Sequence, residues 1–197
     1  MESILLEAKD NDVCILFIGD VFAATTHTDL YLRAVNASVR VSVLHNASVV
    51  NAISSSGLEL YRFGKIVSIP YWSKGFTPSS FLDGIASNKA AGLHTLCLLD
   101  IKTDENRFMS VNEAIAVLFE AQTLRQEQQD LLPFLDQQSL VVGCARLGWP
   151  DQLIVAGPVS VVQKVVFGAA PHALIIPGKL HPIEEEMLAL FSPGDKS

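Results

Sequence analysis

The stretch His94-Thr-Leu-Cys-Leu-Leu-Asp100 decides the fold class. Its apolar centre is unbroken, so it lacks the alternation of a strand with one wet face, and it is short for a buried helix. It reads as a strand covered on both sides. Comparable runs occupy residues 13–18, 39–44, 65–70, 139–146, 152–156 and 173–177, and helical spacing fills residues 26–35, 48–55, 78–91, 110–129 and 182–190. Threonine opens the first helix as a cap, Pro78 opens the third, and Ser110-Val-Asn-Glu113 gives the fourth a capping box. Glutamates fill the first turn of the last, where the helix dipole favours negative charge. Strands alternating with helices predict an α/β protein with largely parallel sheets. Leu147-Gly-Trp-Pro-Asp151 is a short connection that fits a hairpin, so the second half is expected to mix parallel and antiparallel pairing. A boundary near Gly57-Leu-Glu-Leu-Tyr-Arg-Phe-Gly64 divides the chain into residues 1–60 and 61–197, and residues 192–197 read as a loose tail.

The bulk properties narrow the class. The 197 residues are 49% hydrophobic and 18% charged, which excludes a disordered chain, yet no apolar run reaches the roughly 18 residues of a membrane span. The net charge of −7 argues against general nucleic-acid binding. The first twelve residues carry Glu2, Glu7, Lys9, Asp10 and Asp12, unlike a secretory leader. Cys14, Cys97 and Cys144 each sit in an apolar run at spacings that suit neither disulfides nor zinc. Buried thiols in a soluble cytoplasmic protein are the expectation.

Two loops stand out chemically. The first predicted strand ends in Gly19-Asp20, followed by Ala23 and Ala24, small residues that let a ligand approach the main chain. The second ends in His45-Asn-Ala-Ser48, where Ser48 is placed to cap a helix. Ligands of open α/β sheets gather beyond the carboxyl ends of strands, but an ordinary capped turn explains the same residues. No nucleophile elbow, phosphate loop with lysine or metal-binding His-Glu-x-x-His is present, and the five histidines are scattered, so no metal is expected.

Longer blocks carry a resemblance. Gly19-Asp-Val-Phe-Ala-Ala-Thr-Thr-His-Thr-Asp-Leu30, His45-Asn-Ala-Ser-Val-Val-Asn-Ala52, Gly57 to Gly64, Gly92 to Lys102 and Phe108-Met-Ser-Val-Asn-Glu-Ala114 resemble segments of the diphthine synthases, in family order. Ala145-Arg146, Pro171-His-Ala-Leu-Ile-Ile-Pro-Gly178 and His181-Pro-Ile-Glu-Glu-Glu-Met-Leu188 extend the match, and eukaryotic members look closer than archaeal ones. The resemblance implies the tetrapyrrole-methylase-like class of S-adenosylmethionine-dependent methyltransferases. Such proteins have two α/β domains with a cofactor cleft between them, and they usually form homodimers. It also implies a substrate, the 3-amino-3-carboxypropyl-histidine of elongation factor 2, modified on the way to diphthamide. By position, the family's cofactor contacts fall on Asp20, Ala23, Ser48, Val49, Leu99, Leu147 and His172. Asp20 would suit a hydroxyl or ammonium, Leu99 and Leu147 backbone groups and an apolar wall, and His172 a hydrogen bond. No catalytic base is singled out.

Three departures from the family pattern follow. Val21 stands where the family has proline, freeing a backbone angle. The insertion after the Asp-Ile-Lys motif is reduced to Thr103-Asp-Glu-Asn106. Met1 corresponds to a point well inside the family's first domain, so that domain is expected to be incomplete, with strand edge and apolar surface exposed. A non-catalytic homologue serving as an interaction or dimerisation module is the alternative, and a methylase acting on a tetrapyrrole a more distant one.

Overall fold

The structure is a computed structural model that describes residues 2–128 and 133–194. The last position of the helix expected over 110–129 and the last three of the tail lie outside the described residues. Packing divides the chain into two compact units, Met1–Ala52 and Ile53–Ser197.

The first unit contains helices α1 (Glu2–Glu7), α2 (Thr28–Asn36) and α3 (Val49–Ala52). The strands expected at residues 13–18 and 39–44 are absent. Neither segment makes a backbone–backbone ladder, and the one main-chain bond there runs from Val39 N to Ala34 O at the end of α2. Apolar composition favours a strand only where a neighbour accepts its backbone hydrogen bonds. The threonine cap also fails, because α2 begins at Thr28 with His27 at the N-cap and no side-chain cap bond. Ser48 does cap α3, accepting from Val50 N at 3.2 Å, but α3 stops after one turn and continues as a 3-10 turn over Ile53–Ser56. Cys14 is exposed, against the expectation of burial, because its segment packs under no partner strand.

The second unit contains β1 (Val67–Ile69), α4 (Phe81–Ala90), β2 (Thr95–Leu99), β3 (Ile101–Lys102), β4 (Arg107–Phe108), α5 (Val111–Glu127), β5 (Leu140–Ala145), β6 (Leu153–Pro158), α6 (Val159–Val162), β7 (His172–Ile176) and α7 (Pro182–Ala189). Five strands form one sheet in the order β1-β2-β7-β5-β6. Only β1 and β2 are parallel; β2–β7, β7–β5 and β5–β6 are all antiparallel, which corrects the expectation of largely parallel sheets. Unbroken apolar runs report burial on both faces but not strand direction. The β5–β6 hairpin forms across the predicted short turn. The small β3–β4 hairpin turns at Thr103–Asn106, with Asn106 at φ 48°, a left-handed position that asparagine tolerates.

Burial explains why these strands hold. Leu96, Cys97, Cys144, Leu174 and Ile175 are at most 1% exposed. Helix α4 lies close on β1: a Cβ on Gly84 would come within 2.6 Å of Val67 Cγ1, so the helix tolerates a residue of poor propensity to approach the sheet. Pro78 lies ahead of α4 rather than in its first turn, and its carbonyl accepts from Trp72 Nε1 at 3.1 Å. Helix α5 opens with the predicted Ser110–Glu113 capping box.

Candidate functional site

In the first unit, Gly19 adopts φ 86° and turns the chain so that Asp20 faces the segment His45-Asn-Ala-Ser48. Asp20 Oδ1 accepts from Phe22 N at 2.9 Å, while Oδ2 accepts from His45 Nδ1 at 2.8 Å and Asn46 N at 3.1 Å. The Phe22 amide foremost, then His45 and the Asn46 amide, hold the carboxyl down at about 2. The structure therefore joins the Asp20–Ala23 loop to the loop that leads into Ser48 and Val49. His45 is the partner that reading the sequence missed; a histidine 25 positions away carries no local signal. A cavity of about 550 Å³ lies in this unit, walled by residues 13–17 and 39–46 with α1 and α2. Asp20, Ala23, Ser48 and Val49 do not line it.

In the second unit, Leu99, Leu147 and His172 collect at one edge of the sheet. Leu98 pairs with Ala173 and Ala145 with His172, so the end of β2, the start of β7 and the end of β5 lie side by side. The Leu99 side chain is 7% exposed and belongs to the core, so it offers this edge only its main chain. Leu147 is half-buried in the β5–β6 turn. His172 Nε2 lies 3.0 Å from the Ala169 carbonyl. Its Nδ1 is buried and has no hydrogen-bond partner. Burial holds this imidazole below the ordinary histidine range.

Two further side chains at this edge were not anticipated. Tyr71 follows β1 and is 6% exposed; its amide donates to Asp100 Oδ2 at 2.8 Å, and the Arg107 guanidinium lies 3.6 Å from its ring centroid. Arg146 closes the hairpin turn by donating from Nε to Asp151 Oδ2 at 2.7 Å. That pair was within reach of the sequence, since opposite charges flank a predicted hairpin turn.

In the second unit, polar groups gather at the adjoining ends of β2, β5 and β7 in an α/β fold. Residues 2–163 match the model of the tetrapyrrole (corrin/porphyrin) methylases, and the chain belongs to this family. Within it, the chain is similar to diphthine synthases. The chain is 46% identical to a probable diphthine methyl ester synthase of Arabidopsis thaliana over 94% of this chain and 71% of that one. It is 42% identical to the diphthine methyl ester synthase of Homo sapiens over 100% of this chain and 74% of that one. The crystal structure of a protein assigned as a diphthine synthase from Entamoeba histolytica superposes with a TM-score of 0.90 at 40% identity, covering 98% of this chain and 76% of that one.

Proposed function

We propose that the chain transfers methyl groups from S-adenosylmethionine to the 3-amino-3-carboxypropyl-histidine of elongation factor 2, a step in making diphthamide. The observation that carries this reading is the likeness to diphthine methyl ester synthases along the whole chain. By their positions in the family pattern, Asp20, Ala23, Ser48, Val49, Leu99, Leu147 and His172 would be the residues that contact the cofactor. A homodimer working in the cytoplasm belongs to the same reading. No helix among the described residues is long and apolar enough to cross a membrane.

The residues present suit this cofactor. A carboxylate offers about four acceptor sites, and Asp20 uses three, so a held, ionised oxygen is left for an ammonium or hydroxyl. In the second unit, the unpartnered Nδ1 of His172 can accept a hydrogen bond, and Leu147 offers an apolar surface. When bound, S-adenosylmethionine supplies an electrophilic methyl group on a sulfonium. The task left to the chain is to hold donor and acceptor in line, and such orientation lowers barriers by roughly 7–11 kcal/mol. A neutral amine needs no strong base beside it, and none is assigned.

Calorimetric titration of the 197-residue chain with S-adenosylmethionine tests the reading. Binding is expected, weakened roughly tenfold or more in Asp20→Asn through loss of a charge-assisted hydrogen bond. A folded chain that takes up no cofactor would overturn the enzyme and leave a non-catalytic interaction module.

A further inference from the structure

The turn after β5 holds a residue that cofactor contact alone leaves without a role. Arg146 is 8% exposed and has φ 50°, in the left-handed region. A non-glycine residue stays there only where its surroundings fix it. The guanidinium does so. Nε donates to Asp151 Oδ2 at 2.7 Å and Nη2 to the Asp151 carbonyl at 2.9 Å. Nη1 donates to the carbonyls of Phe167, at 2.9 Å, and Ala169. The Arg146 amide adds a bond to the Pro171 carbonyl at 2.9 Å. One side chain thus ties the turn that carries Leu147 to the loop that delivers His172.

The Ala169 carbonyl is shared between Arg146 Nη1 and His172 Nε2. A carbonyl only accepts, so Nε2 carries the proton, and Nδ1 of the neutral ring is a bare acceptor. That atom is buried without a partner. Leaving a buried acceptor unmet is unfavourable, so this atom calls for a donor. Gly168 takes φ 76°, a left-handed position that glycine adopts without strain, where the loop turns beside the guanidinium.

We propose that Arg146 is a positioning residue: by fixing the Ala169 carbonyl, it holds His172 in the Nε2-protonated tautomer and keeps Nδ1 open for a hydrogen-bond donor of the cofactor. This rests on the reading that the edge takes S-adenosylmethionine. Lysine cannot replace arginine here, because an ammonium lacks the planar fork that spans Asp151, Phe167 and Ala169 together. Burial disfavours the imidazolium, and the Arg146 charge pushes the same way, against the nearby carbonyls of Ala169 and Gly168.

The test is nitrogen-15 NMR of the histidine rings in the full chain, with His172→Gln to assign the signal. Above pH 7 the wild-type ring is expected to be protonated on Nε2. In Arg146→Lys the other tautomer is expected to appear, and S-adenosylmethionine affinity to fall about threefold to tenfold, the equivalent of one neutral hydrogen bond. Asp151→Asn, at a side chain 65% exposed, guards against misfolding and is expected to shift both readouts less. A wild-type ring protonated on Nδ1, a tautomer unchanged in both folded variants, or an altered tautomer with unaltered affinity would each overturn the proposal. Absence of cofactor binding by the wild type would instead sink the methyltransferase reading, while the tautomer measurement still decides what Arg146 does to His172.

Discussion

In the second unit, Leu96, Cys97 and Leu174 are at most 1% exposed; in the first, Leu16, Ile18 and Leu44 stand at 89%, 104% and 85%. The sequences are of the same kind, short apolar runs ending in polar loops. What differs is the company each run keeps. Strands β2, β7 and β5 each satisfy their backbone groups against neighbours on both edges, with helices α4 and α5 packed over the sheet. Residues 13–18 and 40–44 have no such neighbours, and among the described residues Ala34 alone of the buried hydrophobic side chains belongs to the first unit. Order in the first unit comes instead from polar ties, with Asp20 drawing Phe22, His45 and Asn46 together. A hydrophobic run stabilises a fold only after its main chain has found partners.

The largest effect that would test this contrast lies in the polar interior of the second unit. Glu184 is 0% exposed and accepts from Glu59 N, His181 N, His94 Nε2 and Arg62 Nη1. Glu184→Ala strands Arg62 and His94 and is expected to cost about 3–5 kcal/mol in urea unfolding. A smaller loss would mean that the second unit relies on its apolar core alone.

Acid should act on the same network. Gly178 N donates to His94 Nδ1 at 3.0 Å, so this ring is neutral and gives its Nε2 proton to Glu184. Burial foremost keeps His94 below its ordinary pKa, outweighing the pull of Glu184. A folded pKa below the unfolded one, about 6.5, means that the unfolded chain takes up a proton first. The stability this group contributes is therefore complete above that pH and declines below it, by at most about 1.4 kcal/mol per pH unit. Unfolding midpoints measured from pH 7.5 to 5.5 should fall, and should fall less steeply in His94→Gln. A flat wild-type profile would remove His94 from the account.

The smallest expected effect sharpens the contrast from the other side. Leu16→Ala in the first unit should change stability by no more than about 0.5 kcal/mol, as for other exposed positions. A buried leucine such as Leu174 would lose about 2–5 kcal/mol on the same substitution. Equal losses at the two sites would show that Leu16 is covered in solution.

Much of the second unit was legible from local pattern. The five sheet strands, the Ser110–Glu113 capping box and the β5–β6 hairpin all follow from runs and turn residues that are close in sequence. Strand direction was not legible, because an apolar run looks the same whether its neighbour runs parallel or antiparallel. The β3–β4 hairpin escaped notice because its strands are two residues each. At the candidate site, Asp20 and His172 stood out through the resemblance to a family, whereas the Asp20–His45 bond and the Arg146 bonds to Phe167 and Ala169 join residues more than 20 positions apart and become visible only in space.

The sequence by itself determined which runs could build the sheet of the second unit, where α5 and α7 start, and which family the loops resemble. Those properties are local, set by side chains within a few positions of one another. Only the tertiary structure decided that residues 13–18 form no strand, that Asp20 is bound to Asn46, and that Glu184 closes on His94 at a separation of 90 residues. The reason is physical: each backbone or side-chain donor must find an acceptor somewhere, and which one it finds is a property of the packed chain, not of the residues beside it.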